Sequence, residues 1–358
     1  MIQVTRVPDK NWKELSDNDL GGKRKKAVCL VRYGGFGDLV QITSLFPLIK
    51  AQGKKLCVNV TENGVDLLHS DPYIDELLIQ NTDQVPNREL GPYWERLGEL
   101  FDEFYNLGGV IEQNLLCLQG QDIYEWPHEK RHKKLNKNYS EALHDVANVG
   151  YKFKFKFYPT SSEKKWVKKQ RKKMRLDGSY TILITLSGSS VHKAYPFMDN
   201  VIARMLLTNP QVKFVMVGDE TCQLLESGWE NEKRVFPRSG KWSIRETLAF
   251  AQQSDMVVGP ETGVLDAVGT EDLAKVVLLS HSSKENLTKH WINTTAIEPV
   301  DVDCYPCHKM HYGFKHCNRD LRTGGAMCAA NITPDDVVDA IEGHIKLKYE
   351  FPRISANG

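Results

Sequence analysis

Val28-Cys29-Leu30-Val31-Arg32-Tyr33-Gly34-Gly35-Phe36-Gly37-Asp38 decides how the rest of the chain is read. An apolar run ends in three glycines within four residues, and an acid then opens a helix-like segment. Glycine lets a backbone bend sharply and approach a ligand, because it has no Cβ. A carboxylate at a helix start sits at the positive end of the helix dipole and stays ionised more easily. The stretch therefore reads as a rigid strand-to-helix turn holding Asp38 over a crevice. It reads equally well as a tight turn whose aspartate caps a helix.

The 358 residues exceed one ordinary core and imply two domains. Apolar residues make up 41% and charged residues 26%, a globular composition. Lys plus Arg number 47 against 46 for Asp plus Glu, so an anionic partner must be met by a local patch rather than by net charge. No stretch approaches the ~18 apolar residues of a membrane span. Met1 to Lys26 lacks the apolar centre of a secretion signal, so the expectation is a cytoplasmic protein. The eight cysteines are then expected to be reduced.

Working outward, short apolar runs alternate with helical patterns. Strands are expected at Ala27–Tyr33, Leu56–Val60, Leu77–Gln80 and Phe104–Leu107, with helices at Leu39–Ala51 and Tyr93–Phe101. A second series places strands at Tyr180–Leu186, Lys213–Val217, Met256–Val258 and Val276–Leu279. Its helices are Met198–Thr208, Thr221–Gly228 and Ile244–Gln253. Such alternation argues for parallel sheets with crossover connections. The fold expected is α/β, two doubly wound Rossmann-like domains facing a central cleft, with domains at 1–160 and 161–358. Residues 1–22 read as a polar, loosely ordered lead-in or a capping extension. Ser161-Ser162-Glu163 reads as a helix start, and the lysine-rich run after it is either a solvated helix face or a patch for nucleic acid or membrane.

Ligands in open parallel sheets bind at strand carboxyl ends. Two more loops there carry chemistry. Ser187-Gly188-Ser189 can aim amides at a phosphate, with Lys193 adding a flexible charge. In Gly259-Pro260-Glu261-Thr262-Gly263-Val264, Glu261 is placed to accept sugar hydroxyls, while Thr262, Gly263 and Val264 supply the first free amides of a helix. The plainer reading makes Glu261 a helix-start stabiliser.

From about Ala27 to about Ile345 these residues resemble the ADP-heptose:lipopolysaccharide heptosyltransferase family, glycosyltransferases of the two-Rossmann GT-B architecture. Arg32 through Asp38 looks like its Arg…Gly-Asp signature, and Lys193 before Tyr195-Pro196 looks like its Lys-x-Trp-Pro element. Gly240-Lys241-Trp242-Ser243-Ile244-Arg245-Glu246 is similar to a Gly-Lys-x-Ser-Leu-x-Glu stretch beside the nucleotide, and Glu261-Thr262-Gly263 stands where the family has Asp-Thr-Gly. Cys304 to Asp336 looks like its cysteine segment and final helix. The chain departs at Glu261, at Asp266 where the family has histidine, and at Ser44, where proline is replaced while Pro47 falls one turn later to kink the helix.

The resemblance implies an inverting transfer from a nucleotide diphosphate sugar, with no catalytic metal. Asp38 is the implied general base and Lys193 the contact to the donor phosphate. Gly37, Ser187, Gly188, Ser189, Gly240, Lys241, Glu261, Thr262, Gly263 and Val264 line the donor side. Arg32, Gly34 and Gly35 line the acceptor side, together with the basic cluster Lys130, Arg131, Lys133 and Lys134. Lys152, Lys154 and Lys156 alternate with Phe153, Phe155 and Phe157 as a strand-like edge. If these basic residues bind, the acceptor is anionic: lipopolysaccharide core, or DNA bearing a hydroxymethylated base. Solubility and edge protection explain them as well.

Cys304, Cys307, Cys317 and Cys328 have a spacing that fits a structural tetrahedral zinc, or else they are reduced thiols packed in a long loop. A noncatalytic binding protein on the same scaffold is the second class. A dinucleotide dehydrogenase fares worst, because Gly34-Gly35-Phe36-Gly37 lacks the third glycine at the required spacing.

Overall fold

Continuous apolar runs and crossover helices produce two all-parallel sheets. The structure, a computed structural model, describes residues 2–350; positions 351–358, expected in the second domain, lie outside the described residues. The first half runs β1 (Gln3–Arg6), β2 (Ala27–Val31), α1 (Phe36–Ile42), α2 (Phe46–Ala51), β3 (Lys55–Val60), α3 (Glu62–Leu68), β4 (Glu76–Ile79), α4 (Leu90–Gly98), β5 (Glu103–Asn106), α5 (His128–Leu135) and α6 (Tyr139–Val146). Its sheet has the order β1-β4-β3-β2-β5. The second half runs α7 (Ser161–Lys173), β6 (Tyr180–Thr185), α8 (Met198–Thr208), β7 (Val212–Val217), β8 (Val235–Pro237), α9 (Ile244–Ala251), β9 (Met256–Pro260), α10 (Gly263–Val268), β10 (Ala274–Leu278), β11 (Thr294–Ile297), α11 (Met327–Ala330) and α12 (Pro334–Glu350). Its sheet has the order β11-β10-β9-β6-β7-β8. The central strands β2, β6, β9 and β10 are buried along their whole length, as expected of sheets covered on both faces.

Three expectations are corrected. Residues 2–22 follow the capping reading and are not a loose lead-in: β1 pairs in parallel with β4 at the sheet edge, and Trp12, Leu15 and Leu20 are buried behind it. The anticipated single helix Leu39–Ala51 is two helices. Between them the Thr43 and Ser44 hydroxyls donate back to the carbonyls of Val40 (2.6 Å) and Gln41 (2.9 Å), and Pro47 opens the second helix. Residues 151–160 form no strand. They are the crossover between the halves, with Phe155 and Phe157 buried and Lys156 paired to Glu271 at 2.5 Å. The alternation there reflects a chain sandwiched between two bodies rather than a sheet edge.

The halves are joined tightly. A single hydrophobic cluster takes in residues of both sheets, from Val28 and Val58 to Leu183 and Val257. Arg245 on α9 is a buried brace. Its guanidinium donates to Glu163 (2.5 and 2.9 Å), to the carbonyls of Asp66 (2.9 Å) and Leu67 (2.8 Å) closing α3, to the Ser70 hydroxyl (2.7 Å), and to the Tyr158 carbonyl (3.1 Å). One side chain thus ties α3, the crossover, α7 and α9 together, and Lys in its place could not reach this fan of acceptors. Arg245→Met strands Glu163 and these carbonyls. It is expected to lower the unfolding free energy by about 3–5 kcal/mol in urea denaturation, and an unchanged midpoint would show the brace contributes nothing.

Candidate active site

The site forms where α1 and α10 meet. Each helix follows the carboxyl end of a central strand, β2 in one sheet and β9 in the other. At the contact, a Cβ on Gly37 would lie 2.5 Å from Asp266 Oδ2 and 3.3 Å from Gly263 Cα; one on Gly263 would lie 2.7 Å from the Gly37 nitrogen. Only two glycines allow this approach. The loop carrying Asp38 and the loop carrying Glu261, Thr262 and Gly263 therefore share one seam.

Asp38 is held from three directions. Its Oδ2 accepts from the Gly35 amide at 3.0 Å, so it does cap the helix start. Its Oδ1 lies 2.7 Å from Arg32 Nη2, and 29% of its side chain stays exposed. Gly34, at φ +127°, makes the turn, and a Cβ there would press on Asp38 Oδ2 at 2.9 Å. Burial pushes the Asp38 carboxyl above its ordinary value, more than Arg32 pulls it down, and the charge of Glu112 adds to the rise. Arg32 itself does not face an acceptor, as the resemblance implied. It is 1% exposed, forked onto Glu112 (2.8 and 3.1 Å), and donates to the Leu107 carbonyl at 3.1 Å. It positions Asp38. Glu112 carries no motif and was not anticipated; the glycine pair Gly108-Gly109 after β5 is the only local sign of a working loop.

Across the seam, Lys193 folds over Gly188, where a Cβ would meet Lys193 Cδ at 2.7 Å and the Glu261 carbonyl oxygen at 3.3 Å. The Gly188 amide donates to the Lys193 carbonyl at 3.0 Å, closing the Ser187–Lys193 loop, with Ser189 exposed at its tip. Gly240, at φ +67°, turns the chain after β8, and Lys241 is exposed.

Glu261 is not free to receive sugar hydroxyls. It is 4% exposed. Its Oε1 accepts from the Ser280 amide at 2.7 Å, and its Oε2 accepts from the Ser282 hydroxyl at 3.1 Å and sits 2.8 Å from His281 Nδ1. Burial alone would raise this carboxyl, but His281, Lys193 and the donors outweigh it and hold it well below the usual range. Glu261 organises the loop after β10. The Ser280-His281-Ser282 partners became visible only in three dimensions.

The basic cluster is split. Arg131 is buried and donates to the carbonyls of Cys307 (2.8 Å) and Trp126 (2.5 Å), so it is not an acceptor contact. Lys130 lies over the Trp126 ring at 4.0 Å. Lys133 and Lys134 remain exposed. Cys304, Cys307 and Cys317 are partly buried and Cys328 is buried. Among the described residues, no three His, Cys, Asp or Glu side chains come together to hold a metal ion.

The sequence matches no family model and no curated protein. The structure is similar to that of a glycosyl transferase family 9 protein from Veillonella parvula, with TM-score 0.65 and 12% identity over 89% of this chain and 97% of that one. It is similar to E. coli ADP-heptose lipopolysaccharide heptosyltransferase II, with TM-score 0.62 and 13% identity over 90% and 99%. It is also similar to the iron-containing dodecameric glycosyltransferase TibC from enterotoxigenic E. coli, with TM-score 0.57 and 13% identity over 93% and 81%. The fold is GT-B, like that of heptosyltransferases. Among the described residues no helix is long and apolar enough to cross a membrane.

Asp266 is walled into the seam. Its Oδ1 accepts from Gln41 Nε2 at 3.1 Å, and Gln41 Oε1 is buried with no partner. Burial pushes the Asp266 carboxyl up to about 7; Gln41 and Lys193 oppose this, and the charges of Asp38 and Glu261 add to it. An unfolded aspartate ionises near ~3.9. Between these values the folded state holds the extra proton, so the residue's contribution to stability falls as pH rises from about 4 and is least above about 7. Asp266→Asn is expected to gain on the order of 1–4 kcal/mol over the parent at pH 8. The gain should shrink toward pH 4 in urea midpoints taken across that range.

Proposed function

We propose that the chain is a glycosyltransferase moving a sugar from a nucleoside diphosphate sugar to a hydroxyl of an anionic acceptor, with inversion at the anomeric carbon. One observation supports it most: the glycine contact that sets a half-open carboxylate with a raised proton affinity, Asp38, beside the loops bearing Lys193 and Thr262 to Val264. Carboxylate and phosphate-binding elements from separate sheets are what an in-line displacement between two substrates requires.

In this mechanism Asp38 takes the acceptor's hydroxyl proton as the oxygen attacks the anomeric carbon. The bond from that carbon to the diphosphate oxygen breaks, and charge develops on the β-phosphate. Lys193 and the amides opening α10 meet that charge; preorganised donors of this kind are worth roughly 3–4 kcal/mol each in mutational studies. Arg32, shared with Glu112, keeps Asp38 oriented, and its downward pull on the carboxyl's proton affinity is outweighed by burial. No step is routed through the cysteine segment.

The fold likeness favours an acceptor of the lipopolysaccharide-core kind. The alternative acceptor is a hydroxymethylated base in DNA. Nucleotide sugars are first ranked by the rise in melting temperature they cause. Asp38→Asn is then expected to keep the parental shift with the best donor while turnover falls about 100- to 10,000-fold. Transfer at the parental rate would remove Asp38 from the role.

A further inference from the structure

A second candidate site lies on the C-terminal half and includes Lys241, one of the residues the resemblance put on the donor side. A pocket of 280 Å³ opens between α7 and the loop after β8. Trp166 and Trp242 form one wall, edge to face with ring centres 5.0 Å apart at 82°. Lys173, Arg238 and Lys241 ring the opening. The acid at its edge, Glu246, is engaged by its own helix, accepting from the Ser243 amide at 2.9 Å.

The helix beside this pocket is charged in a way that opposes its own stability. The α7 sequence SSEKKWVKKQRKK holds one acid, Glu163, and that acid is taken up by Arg245. Lys164/Lys168, Lys165/Lys169, Lys168/Lys172 and Lys169/Lys173 are like-charge neighbours four residues apart, an arrangement that weakens a helix. Lys165, Lys169 and Lys173 lie along one stripe, about 6 Å apart on the helix axis, and the stripe ends at the pocket. All three are exposed, and no ion pair to any of them is formed among the described residues.

We propose that this face binds a nucleic-acid strand, with phosphates following Lys165, Lys169 and Lys173 and one base entering the pocket against Trp166 and Trp242. Cations tracking a backbone beside an aromatic platform are how proteins hold single strands. A free nucleotide fits the pocket but leaves the stripe, which runs about 12 Å along the axis, without a ligand. A membrane surface fits the charge but not the shape. Outward positions of α7 are lysines, its apolar Val167 is buried, and an interfacial helix needs an apolar face to insert. The inference stands apart from sugar transfer, and its test reads binding alone.

The test is fluorescence anisotropy of a labelled 20-nucleotide thymidine strand with the full chain, over a salt series, alongside quenching of intrinsic tryptophan emission. Expected are binding that weakens steeply with salt, and quenching by the strand but not by inorganic polyphosphate. The triple variant Lys165→Gln/Lys169→Gln/Lys173→Gln should bind at least tenfold more weakly, with the log–log salt slope reduced by about 2. Its melting temperature should not fall, since like-charge pairs are relieved. Lys23→Gln/Lys25→Gln, an exposed pair in the loop before β2, should bind as the parent does. No binding at 50 mM salt, a triple variant that binds like the parent, or equal quenching by polyphosphate would each overturn the proposal.

Discussion

The approach of Gly37 to Gly263 sets the distance between two helix starts, and the placement of every candidate catalytic group follows from it. Two parallel sheets need not present their carboxyl edges to each other. Here they do, because α1 and α10 touch backbone to backbone at residues without side chains. Asp38 comes one residue after the contact and Asp266 less than a turn after it on the other side, so neither can move independently of the seam. The same closeness walls in Asp266 and raises its proton affinity. A methyl group at either glycine would wedge the halves apart and relax both effects together.

Three acids end near this seam, and their surroundings give them different chemistry. Asp38 keeps part of its side chain open and has a raised proton affinity, the state a general base needs. Glu261 is buried, saturated with donors and held ionised, which makes it a fixed structural charge. Asp266 is buried with one donor and is poised near neutrality. In sequence Asp38 and Glu261 occupy similar settings, because both follow strands and precede helices. The number of hydrogen-bond donors around each carboxylate separates them, and most of those donors come from remote parts of the chain.

The α/β alternation was legible because the central strands are continuous apolar runs bounded by glycine, proline and polar loops. Helix Met198–Thr208 falls where the pattern placed it. The strands that escaped notice, β1, β8 and β11, are three or four residues long and lie at or next to sheet edges, where little apolar pattern is needed. At the site, the glycines and Asp38 were legible because a sharp turn and a close approach constrain residue type locally. Arginine roles were not. Arg32 is neutralised by Glu112, 80 positions away, and Arg131 is absorbed by a carbonyl 176 positions away. A cation is free for a ligand only when no such partner exists, and spacing along the chain carries no record of that.

The fate of the basic residues follows from side-chain chemistry. Arg32, Arg131 and Arg245 are all buried, each forked onto carbonyls or carboxylates that a planar five-donor group can satisfy. The lysines of α5 and α7 stay outside, since a compact ammonium is strongly hydrated and gains little from a fixed fan of acceptors. With the whole chain near electrical balance, attraction for a polyanion must come from where uncompensated lysines gather. On α5 that leaves Lys133 and Lys134, because Arg131 is internal and Lys130 rests on Trp126. On α7 it leaves a full stripe ending at an aromatic pocket. Counting charges in sequence made the two clusters look alike; subtracting those already satisfied inside the fold leaves α7 as the stronger anionic docking face.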